Sequence, residues 1–405
     1  MKKLIFGICL LIMNLLSPIN VHATTFINSK QVITDMVHAV QEKDWNSFVN
    51  VISNEQKIYY EKYFSDNTYE NGIKQVKTMS LESLTYINDK TAQASWLTNE
   101  YSILENKETD IETYLVGLNC TVTNENQYFY NGLNYFTIVL AKEDNEMKIV
   151  QFNRPSEELI TRIVIPKIST SDKNYNDEIS AINVIESAEQ GYLINADGKA
   201  IENGFKTFKL KNRNTENKAT VLSNNYSEHP ALSVYTNYSI PYSVKVLMNR
   251  TGDGSISPVA FMSYVKCTVP NEWYASWDSA ALKVGIYCVK GVGLYHSIKP
   301  INASLGYDVT QNTQCYIPGT SDSNINTMAE NLRNSFIVNS NNKVFFTEYG
   351  SGTSNSAGTS GSGRLLQYGS QYLASVKSYS ALSILKYYYS YSDCSSGNVK
   401  IVTFS

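Results

Sequence analysis

The chain has 405 residues, which is too long for one ordinary core, so its length predicts two or three domains. A hydrophobic content of 42% is typical of a globular protein. The formal net charge of −3 offers no basic surface to a phosphate backbone, and nucleic acid is therefore excluded as a partner. Thirty tyrosines supply flat apolar faces with polar tips, which suits contact with carbohydrate or protein. The alternative is a surface that uses tyrosine in place of charge.

The first residues follow the plan of a secretory signal. A short positive start, Met1-Lys2-Lys3, precedes an apolar run over residues 4–16, and Val21-His22-Ala23 offers a small-residue cleavage site. The apolar run is too short to span a bilayer comfortably. We therefore predict a signal peptide over residues 1–23 and a secreted or cell-wall-associated protein. The alternative is an uncleaved membrane anchor at residues 4–16.

Residues 28–155 are predicted to form a compact α+β unit. Two helical patterns come first, and strands of period two follow from Tyr114 to Val122 and on both sides of the Glu143-Asp144-Asn145 turn. Helices followed by an antiparallel sheet resemble the nuclear transport factor two-like, or cystatin-like, cone. The resemblance implies a curved sheet. It implies an accessory or spacer role for this unit, and the alternative is a unit that holds a ligand.

The remaining residues divide into two regions. Residues 156–235 are polar and rich in turns around one helix predicted at 179–190, so we interpret them as a linker or a small subdomain. Residues 236–405 begin with a predicted strand at 242–246. The segment 259–269 fits a strand or a short helix, and Asp278 is expected to cap a long helix that reaches Tyr295. The whole chain is predicted to be α+β.

The segment "VPNEWYASWDSAALKVG", residues 269–285, places Glu272 immediately before Trp273 and close to Trp277. Aromatic surroundings disfavour an ionised carboxylate and raise its pKa. Two interpretations are open. Glu272 caps or pairs with a backbone amide near a helix end, or it is an acid that stays neutral so that it can donate a proton.

Four ordered motifs over the last 165 residues or so resemble the stage II sporulation protein D family, which includes the amidase-enhancer proteins. The first is "YVKCTVPNEWYASWDSAALK", whose family counterpart begins as a tyrosine-valine strand, and the helix that follows it ends in "GLYHS". The other three are "GYDVTQNTQCYIPGT", "INTMAENLRNSFIVNSNNKVFFTEYGSG" and "SGRLLQYGSQYLASVKSYSALSILKYYY". The chain departs from the commoner family pattern at Gly285, Lys290, Gly361 and Leu366.

The resemblance implies a bacterial cell-wall protein. Characterised members are lytic transglycosylases that cut the β-1,4 bond after N-acetylmuramic acid in peptide-free glycan strands, and their essential acid matches Glu272. We accordingly predict Glu272 as the catalytic residue. The predicted substrate-binding residues are Trp273, Trp277, His296, Gln314, Tyr316, Tyr349, Arg364 and Gln367. For His296, Tyr316, Tyr349, Arg364 and Gln367, packing in the core is the alternative. The glycine-serine run 350–363 is predicted to be a flexible wall of the glycan cleft.

The cysteines predict neither a metal site nor a cofactor. Five remain beyond the signal, at wide spacings, without a Cys-x-x-Cys pair or a Cys/His cluster. Some family members bind zinc near the Tyr-Asp segment, where this chain has only Cys315. Three functions stay open: a lytic transglycosylase, a non-catalytic peptidoglycan-binding protein that stimulates a wall amidase, and a sporulation or cell-surface scaffold. The expected partners are glycan strands, a wall amidase or sporulation membrane proteins.

Overall fold

The computed structural model describes residues 29–87, 110–189, 193–201, 233–235, 240–392, 394–395 and 397–403. The predicted signal peptide and anchor, and residues 202–232 of the predicted linker, lie outside the described residues. Within the described part, helices accompany one four-stranded antiparallel sheet and several small sheets, so the predicted α+β class is confirmed. No helix in these ranges is long and apolar enough to cross a membrane.

The N-terminal unit has three helices followed by a four-stranded meander. The helices are α1 (Ser29–Glu42), α2 (Trp45–Asn50) and α3 (Asn54–Ser65), and a 3-10 turn at Gly72–Gln75 leads into the sheet. The strands are β1 (Val76–Tyr86), β2 (Ile111–Val122), β3 (Gly132–Glu143) and β4 (Glu146–Asn153), paired antiparallel in chain order. Asp144 and Asn145 both have positive φ, which lets this short turn join β3 to β4 at the predicted position.

Both faces of this sheet are covered. Helix α1 packs apolar side chains at positions 33, 36, 37 and 40 on one face, as their helical spacing predicts. Two later helices, α4 (Glu157–Ile163) and α5 (Tyr175–Glu189), cover Leu115 and Tyr135 on the other face. The helix predicted at 179–190 is therefore present and begins four residues earlier. This helix packs on the sheet. The alternation of apolar and polar residues along the strands did not predict that contact.

The C-terminal unit is arranged around one buried helix. Its elements in chain order are β5 (Ser233–Tyr235), β6 (Ser243–Leu247), β7 (Ile256–Ala260), α6 (Phe261–Glu272), α7 (Ser279–Ile298), β8 (Val309–Thr310), α8 (Gln311–Gln314), α9 (Ser323–Asn331), β9 (Ser335–Val338), β10 (Lys343–Phe345), β11 (Tyr349–Gly350), β12 (Leu365–Leu366), α10 (Gln367–Ser375), α11 (Ala381–Tyr389) and β13 (Lys400–Thr403). Every residue of α7 from Val284 to Ile298 is buried. Asp278 caps α7 by accepting a hydrogen bond from Ala280 N, as predicted.

The segment that carries the first family motif is helical. Tyr264 and Val265 lie in α6, where both are buried, so the tyrosine-valine strand of the family pattern is not present here. The short-helix alternative for 259–269 holds instead, because positions 261, 264, 265, 268 and 269 form one buried stripe. This helix delivers Glu272 to its C-terminal end.

Candidate functional site

Glu272 is the last residue of α6, and the backbone becomes extended at Trp273. Pro270 lies within the last turn of the helix, where its missing N–H and its ring favour termination of the helix. A carboxylate at this end faces the negative pole of the helix dipole, which is an unfavourable place for a negative charge. The position is therefore poor for a structural acid and suits one that remains neutral.

Gln367 binds Glu272 at two points. Its Nε2 donates to Glu272 Oε2 at 2.7 Å and to the main-chain carbonyl of Glu272 at 2.8 Å. Gln367 is itself buried at the start of α10. One amide group thus caps the free carbonyl at the end of α6 and fixes the carboxyl beside it. The structure brings together these two predicted residues, which are 95 positions apart in sequence.

The pKa of Glu272 is raised. Burial is the dominant cause, because removing the carboxyl from water penalises its ionised form. Hydrogen bonds from Cys315 and Gln367 and the positive charge of Arg250 oppose this effect without cancelling it. Burial also raises the pKa of the Cys315 thiol to about 11, so this group is a protonated donor to Glu272. We call Glu272, Gln367 and Cys315 the acid pocket.

A tyrosine pair extends the acid pocket. Gln314 Oε1 accepts hydrogen bonds from Tyr264 Oη at 2.9 Å and from Tyr349 Oη at 3.2 Å. Burial, and next the nearby charge of Glu272, raise the pKa of both tyrosines well above its ordinary value. Tyr349 therefore lies within electrostatic range of Glu272, and Gln314 is hydrogen-bonded to Tyr349. Both side chains have hydrogen-bond partners within the protein.

The two tryptophans of the opening segment have different environments. Trp273 is 1% exposed, its ring centroid lies 5.1 Å from that of Tyr349, and its Nε1 donates to Ser370 Oγ at 3.3 Å. Its ring is therefore part of the core beneath the acid pocket, and a ligand at the surface does not reach it. Trp277 is only partly buried and packs against Tyr274 and Tyr368. Of the two, Trp277 is the ring that remains accessible.

His296 lies away from the acid pocket. Trp273 packs over Gly285 of α7, and His296 is roughly 16 Å farther along that helix at about 1.5 Å per residue. His296 is buried, its Nδ1 lies 2.9 Å from Lys299 O, and burial lowers its pKa to about 4. These contacts support the core alternative for this side chain.

Tyr316 and Arg364 also lie outside the acid pocket's direct contacts. Tyr316 is buried, with its ring centroid 6.1 Å from that of Tyr264. Arg364 has a largely exposed side chain whose Nε lies 3.3 Å from Glu348 Oε1. It stands just before β12, the strand that leads into Gln367.

The glycine-serine run is anchored. Tyr387 Oη and Tyr388 Oη donate to the carbonyls of Gly358 and Ala357 at 2.8 Å and 2.6 Å, and Gly361 N donates to Tyr387 O at 2.8 Å. These hydrogen bonds tie residues 357–361 to α11, and the flexible wall of the glycan cleft stays a prediction.

Cys315 and Arg250 were missed as partners of Glu272. Cys315 stands between two predicted residues, Gln314 and Tyr316, and this spacing was the available signal. Arg250 begins a turn, and the sequence there offered no signal of a contact with Glu272. The turn is held by Gln311, whose Oε1 accepts hydrogen bonds from the main-chain N–H groups of residues 250–252. Across the described ranges, no three His, Cys, Asp or Glu side chains are grouped so as to hold a metal ion.

No protein-family model matches this chain, and no curated protein matches it either.

Proposed function

We propose that the protein is an exported peptidoglycan lytic transglycosylase of the stage II sporulation protein D type, acting in sporulation or wall remodelling. It cleaves the β-1,4 bond between N-acetylmuramic acid and N-acetylglucosamine in peptide-free strands. The observation that carries the proposal is the acid pocket. A carboxyl with a raised pKa is fixed there by an amide from a distant motif.

The first chemical step needs a proton donor. A glycosidic oxygen is a poor leaving group, and its bond to the anomeric carbon breaks readily only if the oxygen is protonated. Neutral Glu272 donates its proton to that oxygen as the bond breaks, and the N-acetylglucosamine portion leaves as an alcohol. The raised pKa of Glu272 keeps the donor form populated closer to neutral pH.

The second step uses the same group as a base. Glu272, now a carboxylate, accepts the proton of the muramic 6-hydroxyl while the 6-oxygen forms a bond with the anomeric carbon. The product is a 1,6-anhydro end, and no water molecule is consumed. Gln367 and Cys315 each donate a hydrogen bond to the carboxylate that exists between the two steps.

The surroundings of other acids support a single-acid mechanism. Ordinary glycosidases use two carboxyl groups. Asp278 caps α7, Asp308 accepts hydrogen bonds from Tyr128 Oη and Lys245 N, and Glu348 lies beside Arg364. Each of these three acids therefore has a partner outside the acid pocket.

The test is cleavage of purified peptide-free glycan strands by the mature protein, with products analysed by mass spectrometry. We expect anhydro-muramic ends from the wild type and a loss of at least about 100-fold in Glu272→Gln, since removal of a general acid has effects of this order. Glu348→Gln is the matched control and retains activity. Full activity in Glu272→Gln excludes the acid role, and reducing ends indicate hydrolysis with a second carboxylate.

The second candidate is a non-catalytic peptidoglycan-binding protein that enhances an amidase or serves as a sporulation scaffold. One observation favours it: the Glu272 carboxyl already has protein donors in Gln367 and Cys315 and so is satisfied within the fold. This candidate predicts that the wild type binds glycan strands and yields no cleavage products. The same mass-spectrometric assay, paired with a sedimentation assay for binding, separates the two candidates.

A further inference from the structure

Three aromatic side chains form a cluster at the surface beside the acid pocket. The Trp277 ring centroid lies 5.2 Å from that of Tyr274 and 5.1 Å from that of Tyr368, with interplanar angles of 63° and 60°. The two tyrosine centroids are 6.3 Å apart, and Tyr368 Oη donates to Tyr274 Oη at 3.4 Å. We call these three residues the aromatic corner, because their rings meet at steep angles.

The aromatic corner is open to solvent. Tyr274 is 60% exposed, and Trp277 and Tyr368 are only partly buried. The other tryptophan of this segment, Trp273, is 1% exposed, so the fold distinguishes the two rings. A contiguous exposed aromatic surface is costly in water, and such surfaces mark binding sites more often than isolated exposed rings do.

The aromatic corner is built by the segments that build the acid pocket. Tyr274 follows Glu272 by two positions, and Tyr368 follows Gln367 directly. A turn in which Trp277 N donates to Tyr274 O at 2.9 Å presents the first two rings together. Asp278 N donates to Gln371 Oε1 at 2.9 Å, which ties this turn to α10. The main chain of the aromatic corner therefore comes within two residues of Glu272 and one residue of Gln367.

We infer that the aromatic corner is a sugar-binding subsite for an N-acetylhexosamine ring of the glycan strand, next to the bond that Glu272 cleaves. The inference rests on the proposed function for the identity of the strand. A pyranose ring has an apolar C–H face, which packs on aromatic rings, and a rim of hydroxyl groups, which bond to phenol oxygens. Phenol and indole side chains are uncharged at neutral pH, which suits a neutral sugar.

The inference is tested by binding alone. The Glu272→Gln protein is titrated by calorimetry with a β-1,4-linked N-acetylglucosamine hexamer, which it does not cleave under the proposed mechanism. Adding Tyr274→Ala or Tyr368→Ala is expected to weaken binding by about tenfold or more. Tyr274→Phe retains the ring and is expected to bind within about threefold of the Glu272→Gln protein.

Tyr242→Ala is the matched control. Tyr242 is 62% exposed, close to the exposure of Tyr274, and its carbonyl accepts a hydrogen bond from Phe261 N at the opposite end of α6 from Glu272. Its removal is expected to leave binding unchanged. Circular dichroism spectra of all variants establish that the fold is retained.

The outcomes for the subsite and for the proposed function are separable. Hexamer binding that is absent, or that is unaffected by both alanine variants, overturns the subsite. Loss of binding in both alanine variants supports it, even if the wild type cleaves no strand and the catalytic proposal fails. Concentration-dependent dimerisation that Tyr274→Ala abolishes, without an effect on hexamer binding, assigns the aromatic corner to a second copy of the chain and overturns the subsite.

Discussion

Opposing effects on one carboxyl determine the chemistry of the acid pocket. Burial at the end of α6 favours neutral Glu272, while the donors Gln367 and Cys315 and the charge of Arg250 favour the carboxylate. The balance leaves the pKa above its ordinary value. A group that donates and then accepts a proton benefits from such a balance, because burial extends the neutral form to higher pH while the donors stabilise the carboxylate.

Cys315→Ala is predicted to shift the pH profile of glycan cleavage. The thiol lowers the pKa of Glu272 through a hydrogen bond, so its loss raises that pKa. The rate falls as pH rises through the pKa of the acid, and this alkaline limb is expected to move to higher pH. The measurement is the pH dependence of kcat/KM.

Cys315→Ser is the control for this shift. Serine keeps a hydrogen-bond donor at this position. Residue 315 has a left-handed backbone with φ of 45°, so alanine and serine bear the same backbone cost there. An alkaline limb close to that of the wild type is expected. A limb that stays in place in the alanine variant, or moves to lower pH, contradicts the assigned contact.

At the scale of elements, α7 is the support for the site. Its first half packs against Trp273, which lies directly after the acid, and it is buried along most of its length. Gly285 lets the helix approach the indole closely, since a Cβ there would lie 2.6 Å from Trp273 Cδ2. The close contact fixes the chain that leaves α6 and so orients Glu272.

Gly285→Ala is predicted to lower the free energy of unfolding by about 1–3 kcal/mol, because overpacking against a buried ring outweighs the helix propensity of alanine. Urea denaturation measures the change. Trp273→Phe provides a smaller ring beside the new methyl group. The double variant is therefore expected to lose less free energy of unfolding than the sum of the losses in the two single variants. A more stable Gly285→Ala protein argues against the tight contact.

At the scale of the whole molecule, the two units are joined by a buried polar junction. The loop 301–308 of the C-terminal unit contacts the N-terminal unit: Tyr60 Oη lies 2.5 Å from Ser304 Oγ, and Ala303 N donates to Phe152 O at 2.9 Å. Asp308 accepts hydrogen bonds from Tyr128 Oη at 2.8 Å and from Lys245 N at 2.9 Å, and so it touches both units. The N-terminal unit is therefore hydrogen-bonded to the unit that carries the acid pocket.

Asp308→Asn is predicted to lower the free energy of unfolding, and the loss should shrink as pH rises. Burial raises the pKa of Asp308 in the folded protein. The stability gained from a neutral buried carboxyl is thus present at acidic pH and lost as pH rises through that raised pKa. We expect a loss of about 1–3 kcal/mol in acid, because the amide carries two N–H donors where the neutral carboxyl carries one O–H, and both positions face donors. Urea denaturation over a series of pH values measures it.

Tyr128→Phe provides the comparison, since it removes one donor to Asp308 and keeps the ring. It is expected to destabilise the protein less in acid than Asp308→Asn does. A loss for Asp308→Asn that grows with pH contradicts the sign of the raised pKa.

The sequence by itself determined the local elements. Spacing predicted α1, the β2–β4 meander with its turn at 143–145, and α7 with its Asp278 cap, because helix and strand periods and caps depend on near neighbours in the chain. The resemblance to the stage II sporulation protein D family added Glu272 and Gln367 as candidate site residues, although their contact was not visible in either motif.

Only the tertiary structure decided which selected side chains meet. It buried Trp273 and left Trp277 only partly buried, although both stand in one short segment, and it placed His296 far along α7. It added Cys315 and Arg250 to the environment of Glu272. Contacts across so many positions depend on how helices pack against each other, and the periodicity of a single segment does not contain that information.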